Sequence, residues 1–156
     1  MDLPDVNVLI YAFRRDTDRH AEYRRWLVEL AGGQGAFAVS EWVLASVMRI
    51  VTNPKAFKVP SQTEEAMAFC QALLDRANCR LVRPTAQHWA LFLRMCREGQ
   101  AKGNLVSDAW FAALAIESGS TWITTDRDYA RFPGLKWRHP LDDPSPRVNA
   151  PWDRLR

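Results

Sequence analysis

Cysteine is scarce in this chain and cannot pair off: Cys70, Cys79 and Cys96 are odd in number and show no C-x-x-C spacing. Neither a disulfide framework nor a zinc site is indicated, and a reduced, cytoplasmic protein is the expectation. The three histidines, His20, His88 and His139, show no metal-ligand spacing. They read as surface or satisfied core residues, His88 most clearly because it adjoins Trp89 on a helical stretch. None of the glycines belongs to a P-loop or a GxGxxG, so nucleoside-triphosphate and dinucleotide enzymes fit poorly. No apolar run approaches the roughly 18 residues of a membrane span. The start carries Asp2 and Asp5 where a signal peptide would be basic and then apolar, so neither membrane insertion nor secretion is expected. Internal repeats and low-complexity tracts are also missing.

What remains is an ordinary globular composition with a particular arrangement. At 156 residues the chain suits one domain that buries about two thirds of its unfolded surface. Its 21 Lys and Arg against 18 Asp and Glu give a net charge of +3. If several acids are committed to a metal site, the remaining surface is more basic than that sum, which leans towards a polyanionic partner.

Strand-like and helix-like segments alternate. Val6 to Phe13 is apolar and β-rich, and is expected to form the central first strand, buried on both faces. A helix is expected from about Asp18 to Ala31, stopped by Gly32-Gly33, and Arg14, Arg15, Arg19, Arg24 and Arg25 lie along this stretch. Ala36 to Val39 reads as a strand, followed by a helix capped by Ser40 with Glu41 in its first turn and ended by Asn53-Pro54. Ser61-x-x-Glu64 is a capping box for a helix from about Gln62 to Ala77. Arg80 to Arg83 is a candidate strand, and Thr85 to Arg97 a helix. Ser107 is placed to cap a helix from Asp108 to Glu117 that Gly119 ends. Thr121 to Thr125 is then a strand, and Lys136 to His139 a last short one. The alternation predicts an α/β fold, a central mostly parallel sheet with helices on both faces. Residues 1–141 form the predicted domain. Residues 142–156, with their prolines, are expected to be an irregular tail, with Trp152 pinned to the body.

Acids sit directly after the short apolar or β-rich runs. Asp5 opens Asp5-Val6-Asn7-Val8-Leu9-Ile10-Tyr11, Asp108 follows Asn104-Leu105-Val106-Ser107, and Asp126 closes Thr121-Trp122-Ile123-Thr124-Thr125, with Asp128 two residues on. In an α/β sheet the carboxyl ends of the strands and the first turns after them converge on one crevice. Carboxylates gathered there repel unless a cation sits between them, and oxygen ligands suit magnesium or manganese. Asn7 is placed to orient Asp5, and Thr125 or Ser107 to hold neighbouring carboxylates. Asp128, by its position, is more a cap for the turn before Tyr129 than a ligand. Trp42 and Trp110, close to acids in sequence, are candidates to line a substrate groove.

The chain resembles a PIN-domain ribonuclease of the VapC toxin type, the toxic half of a bacterial type II toxin–antitoxin pair. The resemblance rests on Asp5-Val6-Asn7-Val8-Leu9-Ile10-Tyr11-Ala12, Arg49-Ile50-Val51-Thr52-Asn53-Pro54, Gly103-Asn104-Leu105-Val106-Ser107-Asp108-Ala109 and Thr125-Asp126-Arg127-Asp128-Tyr129-Ala130-Arg131-Phe132, with the closing Trp137-Arg138-His139-Pro140-Leu141. It implies a PIN-like, Rossmann-like fold and a Mg2+-dependent endoribonuclease, with Mn2+ a possible substitute, that leaves a 5′-phosphate and a 3′-hydroxyl. It also implies Asp5, Glu41, Asp108 and Asp126 as catalytic acids, of which Asp5 and Asp108 bind the metal. A cognate VapB-type antitoxin, an RNA substrate and a homodimer are the implied partners. One departure is visible: many members carry a Glu where this chain has Ser46, and the acid available here is Glu41, about 140° away around an ideal helix.

Two other readings compete. A phosphatase of the haloacid dehalogenase type is suggested by Asp126-x-Asp128, but that chemistry wants two Asp after the first strand, where this chain has Asp5-Val6-Asn7. A PIN-like module that binds RNA or a protein without cutting has the Ser46 departure as its only support.

Overall fold

The first strand is shorter, and starts earlier, than the apolar run suggests. In a computed structural model, which describes residues 1–142 and the backbone of 147 and 148, β1 spans Asp2–Pro4 and Val6–Phe13 is a helix, α1. Asp5 turns one into the other. Its own N–H continues the sheet by donating to the Ile123 carbonyl at 2.8 Å. Its carboxylate accepts from the Val6 N–H at 2.6 Å, capping the helix. Val6, Val8, Leu9, Ile10 and Ala12 are all buried, so α1 is apolar almost all round. It therefore lacks the 3.6-residue periodicity that separates a helix from a buried strand.

The remaining elements are α2 (His20–Gly32), β2 (Phe37–Val39), α3 (Glu41–Val51), α4 (Thr63–Leu74), β3 (Cys79–Leu81), α5 (His88–Glu98), α6 (Leu105–Glu117), β4 (Thr121–Ile123), a short 3-10 turn (Arg127–Arg131), β5 (Lys136–Arg138) and β6 (Arg147–Val148). The α/β sheet is as expected, with strand order β3-β2-β1-β4-β5-β6. Its first five strands are parallel, and β6 is antiparallel to β5. The tail expected to be irregular thus contributes one short strand; Trp152 lies outside the described residues.

None of the three expected serine caps is formed: Ser40 occupies the N-cap position of α3, but its side chain makes no capping hydrogen bond. Ser61 lies outside α4, whose N-cap is Gln62 with no side-chain cap hydrogen bond. The Ser61 hydroxyl instead accepts from Arg14 Nη1 at 2.8 Å. Ser107 lies inside α6, which begins a turn earlier than expected after Asn104. At the other end of α6 the stop is as expected: Gly119 takes φ +65°, its N–H donates to Ile116, and the Ser120 N–H donates to Ala115, a Schellman closure that favours glycine.

The strand order decides where a site can form. Successive connections step from β1 to β2 to β3, and the chain then crosses back to place β4 on the other side of β1. The carboxyl ends of β1 and β4 therefore flank the topological switch point, where a crevice opens. Right-handed crossovers put the helices before and after that reversal on opposite faces, and the packing agrees: α1 contacts α2 and α3, α3 contacts α4, and α5 contacts α6. Because α6 leads through a tight turn into the start of β4, it runs antiparallel to that strand. Its first turns consequently lie at the carboxyl edge of the sheet. Beneath this edge Trp122 of β4 is fully buried, stacked on Phe111 of α6 at 5.4 Å and tilted against Tyr129 at the same distance.

The basic stretch between α1 and α2 is structural at its centre. Arg14 is buried at the end of α1 remote from Asp5. It donates to Asp16, Ser61 and the Val59 carbonyl and lies over the Phe57 ring at 3.9 Å. Arg19 pairs with Glu22 on the surface.

Candidate active site

At the switch point Asp5 feels the charges of two further acids, Asp108 and Asp126. Asp5, at the end of β1, is only 6% exposed. One of its oxygens accepts from Val6 N–H, and the other accepts from the Thr124 hydroxyl at 2.5 Å. Burial raises its pKa from 3.8 to about 7; the Thr124 and Val6 hydrogen bonds pull the other way, and the charges of Asp108 and Asp126 push it further up. Asp108, half-buried in the first turn of α6, also lies above the ordinary carboxylate range. Burial is the main cause, eased by a hydrogen bond from the Tyr129 hydroxyl at 3.3 Å and aggravated by Asp126 and Asp128. Tyr129 itself is buried, and burial beside Asp5 and Asp108 holds its phenol well above its usual pKa, so it stays a donor.

Asp126 follows β4. Its N–H donates to the Thr124 hydroxyl at 3.0 Å, and its carboxylate accepts from the Asp128 N–H at 2.8 Å, capping the 3-10 turn. Thr124 therefore donates to Asp5 while accepting from Asp126, and one fully buried hydroxyl spaces two of the acids. Sequence reasoning chose its neighbour: Thr125 makes no side-chain hydrogen bond among the described residues, and neither does Ser107, which is exposed on α6. The available signal was the two-residue spacing from Thr124 to Asp126, at which a Thr hydroxyl reaches the backbone N–H two residues on. Asp128 is exposed and pairs with Arg131.

Glu41 stands apart from this group. It is exposed in the first turn of α3, where it takes a two-pronged ion pair from Arg83, Nη2 to Oε1 at 2.7 Å and Nε to Oε2 at 3.0 Å. That hydrogen-bonded pair holds its carboxyl below the usual range. Glu41 is not among the main charges that act on Asp5 or Asp108. Glu41 and Ser46 both line a groove of about 510 Å³ together with Trp42, Arg49, Arg83 and Trp110, so the two positions share a wall despite their angular separation.

The donor set suits a hard cation. Among the described residues no three His, Cys, Asp or Glu side chains close around one point. Magnesium does not require such a cage, because it keeps several waters and takes one or two carboxylates. Asp5 and Asp108 offer carboxylate oxygens that would gain from a positive neighbour, since each is otherwise raised by burial and by its acidic surroundings. Asn7, expected to orient Asp5, makes no hydrogen bond to it: the Asp5 oxygens are held by Val6 and Thr124, and the buried Asn7 Oδ1 in the first turn of α1 has no hydrogen-bond partner among the described residues, an acceptor left open for a ligand or a water.

The sequence profile of the PIN domain family matches residues 3–135. The VapC ribonuclease Mb2897 of Mycobacterium bovis is 41% identical over 138 residues, spanning 88% of this chain and 94% of that protein. Ribonuclease VapC25 of Mycobacterium tuberculosis is 35% identical over 140 residues, spanning 90% and 99%. Among solved structures, VapBC2 of Rickettsia felis, bound to a DNA fragment from its promoter, aligns with a TM-score of 0.66 at 22% identity, covering 88% of this chain and 97% of that one. Mycobacterium tuberculosis VapC20, a toxin that cleaves the sarcin–ricin loop, aligns at 0.61 and 16% identity, covering 83% and 93%. At those identities the structural likeness concerns the fold, and the sequence relatives narrow it: the chain belongs to the PIN domain family and, within it, to the VapC ribonucleases.

Proposed function

We propose that the chain is the toxic component of a type II toxin–antitoxin pair, a Mg2+-dependent endoribonuclease that uses Asp5, Asp108 and Asp126, with Glu41 across the groove. The observation that carries this is the buried Asp5 carboxylate at the switch point, held by the Val6 N–H and the Thr124 hydroxyl and raised further by the charges of Asp108 and Asp126, beside a half-buried Asp108 that is itself raised by burial and by Asp126 and Asp128. Carboxylates perturbed by burial and by neighbouring acids cluster at functional sites, and a bound cation would offset both causes. Asp5 and Asp108 would hold the metal. When bound, that ion supplies a hydroxide near neutral pH and offsets charge on the scissile phosphate.

The chain's own groups do the positioning. Val6 N–H and the Thr124 hydroxyl fix both oxygens of Asp5, leaving its remaining lone pairs to face the crevice. Tyr129 orients Asp108 in the same way, and such outer hydrogen bonds tune a ligand's direction and basicity. Asp126, located by Thr124, is placed to accept a proton or orient a water beside them. Glu41 acts on the substrate side once its Arg83 partner is drawn to a phosphate.

The partner is a VapB-type antitoxin, supported by the solved relatives named as VapBC assemblies. Trp26 and Met48, apolar positions on α2 and α3, are partly buried against the core and leave part of each side chain open as an anchor. A larger groove lined by Leu27, Val28, Phe69 and Leu73 with Arg24 and Arg76 offers further apolar surface. A homodimer and a cytoplasmic setting are part of the same proposal. No helix of the described residues is long and apolar enough to cross a membrane.

The test is cleavage of structured RNA by the purified chain in Mg2+ and in EDTA. The expected outcome is cleavage that EDTA stops and that Asp5→Asn or Asp108→Asn abolishes, together with toxicity in cells. Wild-type cleavage by Asp108→Asn, in protein free of contaminating nuclease, would overturn the site.

A further inference from the structure

The groove that Glu41 lines is built for a flat ring. Trp42, in the first turn of α3, is 56% exposed and does not stand alone. Its ring lies 5.4 Å from that of Trp110 at an interplanar angle of 33°. Trp110 is fixed from behind: the His88 ring meets it edge-on at 4.1 Å and the Phe92 ring at 5.3 Å. His88 is in turn locked by a hydrogen bond to the buried Glu117 carboxylate, which also accepts from the Thr85 hydroxyl at 2.7 Å. A rigid aromatic wall thus carries an exposed aromatic flap, and little order remains to be gained on binding.

Charge decides what the groove receives. Arg49 lines it and has no ion-pair partner among the described residues. Arg83 lines it too, held by Glu41. A volume of about 510 Å³ lies within the range of small-ligand sites, roughly 300–1,000 Å³. Both helices that carry the tryptophans start at the carboxyl edge of the sheet, one residue after Glu41 in the case of Trp42 and two after Asp108 in the case of Trp110. Aromatic rings next to arginines are the recognition chemistry of unpaired nucleotides, with bases stacked and phosphates gripped.

We propose that the Trp42–Trp110 groove at the carboxyl edge of the sheet is a base-stacking subsite that takes one unpaired nucleotide of the RNA, with Arg49 on its phosphate. This deepens the ribonuclease reading and rests on it for RNA as the substrate, whereas stacking itself is independent of cleavage.

The experiment is equilibrium binding of a fluorescein-labelled single-stranded octaribonucleotide in EDTA, where no cutting occurs, to wild type, Trp42→Ala and Trp42→Phe. A parallel set of octamers carries one abasic position each. Trp42→Ala should weaken binding by roughly tenfold, the effect of removing one stacked base, and Trp42→Phe should recover most of it. One abasic octamer should bind wild type and Trp42→Ala equally, a coupling that a merely folded-state effect of Trp42 would not produce. Equal binding of the intact octamer by wild type and Trp42→Ala would overturn the proposal. So would a loss that persists undiminished with every abasic octamer. If Trp42-dependent stacking is found and the wild type cuts no RNA in Mg2+, the ribonuclease reading fails and the subsite stands. If the wild type cuts RNA and Trp42→Ala binds as well as wild type, the subsite fails and the ribonuclease reading stands.

Discussion

Replacing Asp5 by Asn should make the metal-free protein more stable, by an amount that grows with pH. The burial that lifts Asp5 from 3.8 to about 7 corresponds to roughly 4 kcal/mol at about 1.36 kcal/mol per pH unit. The sign follows from linkage. Below pH 3.8 the carboxyl is protonated in both states and the fold suffers no penalty. As pH rises towards 7 the unfolded chain releases the proton while the fold retains it, and stability falls; above 7 the full penalty is present. The amide of the Asp5→Asn variant has no proton to lose. The gap between mutant and wild type should therefore widen by roughly 2–3 kcal/mol from about pH 5 to about pH 8. A fixed offset opposes it: the amide keeps an oxygen for the Val6 N–H, but meets the Thr124 hydroxyl with an N–H where the carboxylate accepted, a mismatch of about 1 kcal/mol. Urea titrations at pH 5, 6, 7 and 8 in EDTA, followed by tryptophan fluorescence, read the gap directly. In saturating Mg2+ the wild-type slope should flatten, because the bound ion favours the ionised acid. A gap that stays constant across the four pH values would refute both the burial argument and the account of the cluster that depends on it.

The alternation of strands and helices was legible because it needs only composition and punctuation: glycine at 119, proline at 54, polar breaks between apolar segments. The nature of one element was not. Val6 to Phe13 and the true strand Asp2–Pro4 exchange roles because a three-residue strand leaves no alternation to read, while a helix buried all round leaves no periodicity. The capping signals at Ser61 and Ser107 failed for a tertiary reason. Ser61 was taken by Arg14, 47 residues away in sequence, and α6 gained a turn at its start.

Within the site, the sequence pointed to Asp5, Asp108 and Asp126 by their place after apolar runs; the adjacency of β1 and β4 sets Asp5 and Asp126 on either side of Thr124, while Asp108 acts on Asp5 by its charge from the first turn of α6. It could not show that Thr124, not Thr125, would reach Asp5 across 119 residues. Nor could it show that Glu41 would face Arg83, 42 residues on, instead of the other acids. Both facts depend on the adjacency of strands, which local pattern does not encode. The tryptophans follow the same rule: Trp42 and Trp110 were each suspect for adjoining an acid, but that their rings meet is a property of the fold.

Two further outcomes bear on the roles of individual acids. Glu41→Gln should lower cleavage by about a hundredfold or more, as removal of a charge that acts in the transition state does, and Ser46→Ala should do little; the opposite ranking in a rate assay would place the fourth group elsewhere. Asp108→Asn should oppose function to stability, like the substitution at Asp5 but more weakly, because Asp108 is half-buried and is raised by burial and by Asp126 and Asp128. Its melting point in EDTA should equal or slightly exceed that of the wild type. Magnesium, binding only the folded form, should stabilise the wild type by roughly 2.7 kcal/mol at a hundred times the dissociation constant, and the variant should lose most of that response. If the variant instead melts lower in EDTA and keeps the full metal response, Asp108 serves as a helix-start acid answering the α6 dipole. The metal would then have to be held by Asp5 with Asp126, the remaining pair that Thr124 keeps in register.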